Sequence, residues 1–576
     1  MIVINQTFTE RTDFMKNSRN KLLSVIAFSL SLSMLTACGA SMDTADSAET
    51  GAYIAADDKE YYNMPSTTAA VPAQEDAESY EAEGMIEHID NGTIDSDIAS
   101  VEHPEQEYNT EEYNYITENG YVSVASSPLS TFSADVDTAS YTNVRRMIYD
   151  GYDVYPDAVR LEEMINYFDY NYPDPADNEP FAVHTELSDC PWNADTQLLM
   201  VGINTKNLNS VLEERPPMNL VFLIDVSGSM YSEDKLPLVQ KSFSMLTENL
   251  TAKDRISIVT YAGSDEVVLE GGDGNDKDKV LRAINSLEAG GSTAGAAGIN
   301  TAYEIAEKYF IEGGNNRIIL ATDGDLNVGI SSESELTRLI EEKRESGVFL
   351  SVLGFGSGNY KDNRLEAIAD HGNGNYSYID SEREAQKVLV DEMSGTLFTV
   401  AKDVKFQVEF NPANIKGYRL IGYENRIMPA EDFNDDTKDA GEIGAGHSVT
   451  VLYELVTSDS SMEIGGSELK YSEGSEGING NELLTVNIRY KEPDGNESKL
   501  ISYPVDKALY NKTKSENMTF AAAVAEFGML LRNSAYIGDV TYSNIATQLS
   551  EYDYSYDEFK DEFVYLVNTM KRKASR

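Results

Sequence analysis

Apolar and polar positions along the chain fall into distinct regimes. A largely apolar run of 14 residues, 22–35 (LLSVIAFSLSLSML), stands near the N-terminus. Residues 39–129 then show neither the three-to-four-residue step of an amphipathic helix nor the alternation of a half-buried strand. Pattern returns after Ser130. Met147, Ile148, Val159, Leu161, Met164, Ile165 and Phe168 have helical spacing, and 181–187 and 198–204 read as strands. From 218 to 399 apolar strand runs (219–225, 255–261, 266–270, 317–322, 348–356, 375–380) alternate with helical faces such as Leu236, Val239, Phe243, Leu246 and Leu250, closing with a helix over 385–397. Runs like NLVFLID and RIILATD are apolar at almost every position, as strands of a sheet covered on both faces by helices are.

After Ala401 the texture is strand-like, at 404–410, 418–423, 448–456, 483–490 and 501–505, which predicts a β-sandwich. The strands within 181–204 have no partners of their own and are expected to join it. The predicted fold class is therefore α/β: a doubly wound, mostly parallel sheet inserted in a β-sandwich. Residues 518–532 are apolar on nearly every side and predict a buried helix; 542–549 and 556–570 complete a small helical C-terminal region. The expected organisation is a signal segment (1–37), a disordered tether (38–129), an N-terminal segment (130–215), the α/β domain (216–400), the sandwich (401–510) and the helical region (511–576).

Charge narrows the partners. The chain has 576 residues, with 45 basic and 98 acidic side chains, a net charge of −53. Phosphate backbones need a basic surface, so nucleic acid is excluded. The stretch 39–129 holds 21 acidic residues and one basic one, Lys59, and reads as a self-repelling spacer. Two cysteines, Cys38 and Cys190, allow neither a disulfide framework nor a cysteine-based zinc site, and five scattered histidines offer no HExxH pairing. A metal site here would use oxygen ligands. Cys190 is expected to be a small buried hydrophobe.

The N-terminal run is shorter than the roughly 20 residues that span a bilayer, and Lys16, Arg19 and Lys21 precede it, as in a secretory signal. Leu35-Thr36-Ala37-Cys38 resembles the lipobox of bacterial lipoproteins. That resemblance implies acylation of Cys38 (palmitate) and a cell-membrane location, lipid-anchored and facing the extracytoplasmic side. An ordinary cleaved signal with an incidental cysteine is the alternative.

The candidate chemistry lies at strand ends. The run 219–225 ends in Asp225-Val226-Ser227-Gly228-Ser229, which puts one carboxylate and two hydroxyls on a tight loop where open α/β sheets bind ligands. Gly290-Gly291-Ser292-Thr293 is a flexible loop carrying a hydroxyl, and Ala321-Thr322-Asp323-Gly324-Asp325 ends another apolar strand in a carboxylate. DxSxS, a downstream loop threonine and a later strand-end aspartate, in this order, resemble the metal-ion-dependent adhesion site of von Willebrand factor type A (VWA) domains. The resemblance implies that Asp225, Ser227, Ser229, Thr293 and Asp323 hold a divalent metal, magnesium or manganese, with Asp325 as an outer contact. Neutral hydroxyls outnumber carboxylates in that set, so the ion keeps affinity for one more anionic oxygen, such as a Glu or Asp of a partner protein. The strings TFSADVDTASYTNVRRMIYDG, VRLEEMINYF, CPWN, EDFNDDTKDAGEIGAG and FAAAVAEFGMLLRNS are further similar to one family of bacterial VWA lipoproteins, which have a characteristic segment before the VWA domain and a C-terminal domain of unknown function.

Weaker signals are Asp432, Asp435, Asp436 and Asp439, a calcium loop or a solvated turn; Asp273, Asp276 and Asp278, a plain loop; and Asp135 and Asp137, turn residues or a second oxygen site. Functionally the expectation is a membrane-anchored, non-enzymatic module that binds protein through metal and an acidic residue. The alternatives are an envelope assembly or scaffolding factor, or a metal-assisted hydrolase. The last lacks a positioned histidine base, a nucleophile elbow and a second metal cluster; only Lys235 or Glu266 could be enlisted.

Overall fold

The computed structural model describes residues 109–576 apart from 177–178, 206–214, 292–294, 325–332, 466–476, 479 and 494. The signal segment, Cys38 and most of the acidic stretch lie outside the described residues, as do Thr293 and Asp325.

The described chain opens with short strands β1 (Val122–Ser123) and β2 (Leu129–Ser133), helices α1 (Ala139–Tyr149) and α2 (Leu161–Asn166), and the antiparallel pair β3 (Phe181–Asp189) and β4 (Gln197–Thr205). The helical spacing over 143–168 is thus two helices. A separate 3-10 turn, Pro156–Ala158, lies between them; α1 itself ends before Gly151, whose left-handed backbone (φ +78°) turns the chain out of the helix.

The α/β domain follows: β5 (Met218–Asp225), α3 (Leu236–Glu248), β6 (Arg255–Tyr261), β7 (Asp265–Asp273), α4 (Lys277–Asn285), α5 (Gly295–Lys308), β8 (Asn315–Thr322), α6 (Glu333–Arg344), β9 (Phe349–Phe355), α7 (Asp362–His371), β10 (Tyr376–Ile379), α8 (Glu382–Gln386) and α9 (Met393–Leu397). The sheet runs β10-β9-β8-β5-β6-β7, parallel except at the β6–β7 edge. Every residue of β5 is buried. Its period of two sends Leu220, Phe222 and Ile224 into one core with Phe243 and Leu246 of α3, and Val221 and Leu223 into another with Ile299, Ala302 and Tyr303 of α5. That is why the strand reads as continuously apolar. The closing helix is not continuous: a π-helical turn, Lys387–Asp391, separates α8 from α9.

β11 (Thr399–Phe410) leaves α9 directly, and β12 (Ile415–Ile421), β13 (Gly441–Gly444), β14 (Ser448–Thr457), β15 (Glu482–Lys491) and β16 (Ser498–Asp506) complete a sandwich. One sheet has the order β1-β12-β14-β4-β3; the other runs β13-β11-β15-β16, with β2 also on β11. Leu199, Val201, Phe406, Val408, Val451 and Val486 fill the space between them. The α/β domain therefore interrupts the sandwich between β4 and β11. Helices α10 (Glu516–Arg532), α11 (Tyr542–Leu549) and α12 (Glu558–Ala574) cover the outer face of the first sheet, where Leu198, Met200 and Leu452 share a core with Phe520, Val524 and Phe527. Among the described residues no helix is long and apolar enough to cross a membrane.

Buried ion pairs join these parts. Arg145 on α1 donates to Asp380 at 2.5 and 2.8 Å and to Glu384 at 2.8 Å, both at the end of the α/β domain; it also reaches Tyr167 at 2.9 Å and Glu562 of α12 at 3.2 Å. Glu384 is almost fully buried, so removing its cation leaves a carboxylate with no way to recover solvation. Arg145→Met is expected to destabilise the fold by about 3–5 kcal/mol in denaturant unfolding followed by Trp192 fluorescence. A loss below about 1 kcal/mol, the range of an exposed pair, would contradict the role given to this residue.

Candidate metal centre

β5 is continued on one side by β6 and on the other by β8, so the crevice above its carboxyl end lies at the point where strand order reverses. Asp225 ends β5 and is fully buried. Its Oδ1 accepts the Ser227 backbone N–H at 2.9 Å, and its Oδ2 accepts the Thr322 hydroxyl at 3.1 Å. The turn that follows is clamped by backbone bonds. Val226 N–H donates to Tyr261 at 3.0 Å, Gly290 N–H to Val226 at 2.7 Å, and Gly228 N–H to Gly291 at 3.1 Å. The DxSxS loop is thereby tied to the glycine loop whose next residues, including Thr293, lie outside the description. Met230 plugs the loop into the core below, which leaves buried Ser227 and exposed Ser229 with their hydroxyl oxygens 3.0 Å apart.

Asp323 follows β8 and is 1% exposed. The Lys235 ammonium donates to its Oδ2 at 3.0 Å. Burial pushes the Asp225 carboxyl up to about 6; the nearby Asp323 charge adds to the rise, and hydrogen bonds from Ser227 and Thr322 oppose it. The structure thus brings four of the five predicted ligands, Asp225, Ser227, Ser229 and Asp323, to adjacent strand ends.

The donor set suits a hard divalent cation. It offers oxygen only, and it includes two buried carboxylates at adjacent strand ends, whose burial a cation would offset. Among the described residues no three His, Cys, Asp or Glu side chains converge as metal ligands, so an ion here would depend on the hydroxyls as well. Two participants were not assigned from the sequence. Thr322 accepts the Gly324 N–H at 3.2 Å and donates its hydroxyl hydrogen bond to Asp225; its only signal is its place beside Asp323. Lys235 is named above merely as a speculative base, yet it makes the ion pair on this site.

Other candidates have separate partners. Asp435 accepts from Thr437 at 2.7 and 2.9 Å; Asp436 accepts from Ser498 and from Arg489, which hold it down to about 2; Asp439 pairs with Arg344. These loop aspartates do not point at a common centre. Asp135 accepts the Asp137 backbone N–H at 3.0 Å, as a turn residue does, and the turn is buried: both carboxylates lie against Arg426, 3.3 Å from each, and Asp137 also accepts the Tyr376 N–H at 2.7 Å. Asp276 caps α4. Cys190 is buried, with its thiol toward Glu454 at 3.5 Å and its acidity suppressed by burial.

A family model described as von Willebrand factor type A domain matches residues 219–392. One described as von Willebrand factor matches 107–200, and one described as Uncharacterized protein YfbK, C-terminal, matches 395–572. The chain is 47% identical over 446 residues to Uncharacterized protein YfbK of Escherichia coli (strain K12), covering 76% of each. It is 28% identical over 196 residues to inter-alpha-trypsin inhibitor heavy chain H3 of Homo sapiens, across 32% of this chain and 22% of that one. Among solved structures it is similar to the von Willebrand factor type A protein from Catenulispora acidiphila (16% identity, TM-score 0.40, 69% of this chain and 91% of that one). It is also similar to proximal thread matrix protein 1 from the mussel byssus with zinc occupied MIDAS motif (20% identity, TM-score 0.27, 33% of this chain and 46% of that one).

The raised carboxyl has a consequence for stability. A folded value of about 6 against 3.8 means that ionising Asp225 weakens the fold. The cost is absent below the lower value, grows as pH rises between the two and is complete above the higher. Asp225→Asn, in chelator, is therefore expected to stabilise the protein at neutral pH, by an amount on the order of 3 kcal/mol. The gain should vanish near the lower end of that window. A thermal-unfolding series across pH checks this; a gain independent of pH would contradict it.

Proposed function

Because the chain belongs to the family of Uncharacterized protein YfbK, built around a von Willebrand factor type A domain, we propose that it is a membrane-anchored, metal-dependent protein-binding module of the cell envelope. In this reading Asp225, Ser227, Ser229 and Asp323, with Thr293 from the adjoining loop, hold magnesium or manganese. The bound ion supplies a site for one anionic oxygen, which a glutamate or aspartate of the partner protein provides. The protein's own residues orient that ion: Thr322 fixes the Asp225 carboxylate, and the Gly290–Gly291 backbone holds the serine loop in register. The observation that carries the reading is the meeting of two buried carboxylates and two hydroxyls at the strand-order reversal. We assign no catalytic residue.

A coupling to the rest of the molecule belongs to the same proposal. The closing helix of the VWA domain is broken by the π turn and runs into β11. Gly444 of β13 lies so close to the Gly395 carbonyl of α9 that a Cβ there would sit 1.7 Å from its oxygen. A shift of that helix on ligand binding would be felt by the sandwich.

In titration calorimetry with magnesium or manganese, the parent is expected to bind one divalent ion per chain, and Asp225→Ala to bind none while remaining folded. Capture of a partner from membranes should be lost in chelator and in Asp225→Ala. Capture that persists in chelator sinks the metal-dependent reading, and recovery of a foreign or a native envelope protein separates adhesion from assembly. For the anchor, Cys38→Ser should abolish metabolic palmitate labelling and release the protein from membranes; unchanged labelling contradicts the lipid attachment.

A further inference from the structure

We propose that Lys235 is a built-in counter-cation of the metal centre, and that it lowers the affinity with which the site holds a divalent ion. The inference rests on the metal-binding reading above and adds a residue that sets its strength. Lys235 is the residue that starts α3 and makes no side-chain cap. A cation at a helix N-terminus faces the positive end of the helix dipole, and a lysine there gains nothing from the helix. Its side chain is nevertheless only 10% exposed, a costly location for an ammonium without a partner. The partner is Asp323, at 3.0 Å and 1% exposed.

The path to it is built into the fold. The lysine stem lies against Gly356, just past β9, in backbone of φ +74°. A Cβ at that glycine would come within 2.4 Å of Lys235 Cγ and Cε, so glycine leaves the room the stem occupies. Three neighbouring strand ends therefore meet at one point: Asp225 ending β5, Asp323 following β8, and the lysine lying across the end of β9.

Charge arithmetic gives the consequence. Two ionised aspartates and one lysine make a site of net −1. A divalent ion takes it to +1, whereas without the lysine it would go from −2 to neutral. The lysine opposes entry of the metal, and an ion that does enter keeps an uncompensated charge for an acidic ligand. Ion and acidic partner are thereby made to favour each other.

The test titrates manganese alone into the parent, Lys235→Met and Lys235→Arg by calorimetry in one common buffer. Lys235→Met should bind about tenfold more tightly or better, and Lys235→Arg within about threefold of the parent. If Lys235→Met does not fold without metal, Lys235→Gln purified in manganese replaces it, with affinity read by chelator competition. A purely structural lysine would change unfolding temperature and leave manganese affinity alone. Equal or weaker affinity on loss of the lysine overturns this inference while the metal reading stands. Absence of manganese binding in the parent and in every variant overturns the metal reading instead.

Discussion

Two carboxylates buried beside each other at the ends of neighbouring parallel strands form the constraint on which the functional account depends. Asp225 and Asp323 stand where the sheet reverses strand order, out of water, and the Asp323 charge adds to the cost of ionising Asp225. Such a pair persists only where something else is gained. The surroundings are arranged to tolerate it: hydrogen-bond donors from Ser227 and Thr322 face Asp225, and an ammonium faces Asp323. The Ser229 side of the loop is open to solvent. A position built this way is suited to a small hard cation that a partner can reach.

The rest of the molecule fixes that position and connects it to a larger body. The VWA domain is inserted between two strands of a sandwich, so both its ends are held by the host domain. Arg145 closes a third link, from the opening segment to the domain's last strand and helix and on to the C-terminal helix. With these attachments the domain is not a loosely tethered unit, and its closing helix is pressed against β13 of the sandwich.

Much of this was legible in the sequence because burial on both faces leaves an unmistakable mark. NLVFLID and RIILATD read as central strands, which puts the aspartates that end them at the carboxyl end of the sheet, and the resemblance to VWA domains made those aspartates ligands. The joining of 181–204 to the sandwich followed from strands that lacked local partners. What stayed hidden depends on contacts distant in sequence. Lys235 lies at a helix start 88 residues from Asp323, and only the path past Gly356 brings the two together. The burial of the Asp135–Asp137 turn was hidden because Arg426, the cation that it faces, comes 289 residues after Asp137. The π turn was invisible, since one inserted residue barely alters helical spacing over so short a segment.

Anomalous diffraction from crystals of the full chain soaked in manganese tests the central claim most directly. The account predicts a single strong peak within coordination distance of the Ser227 and Ser229 hydroxyls, absent from crystals of Asp225→Ala. Manganese bound elsewhere, with no density at those hydroxyls, would contradict it.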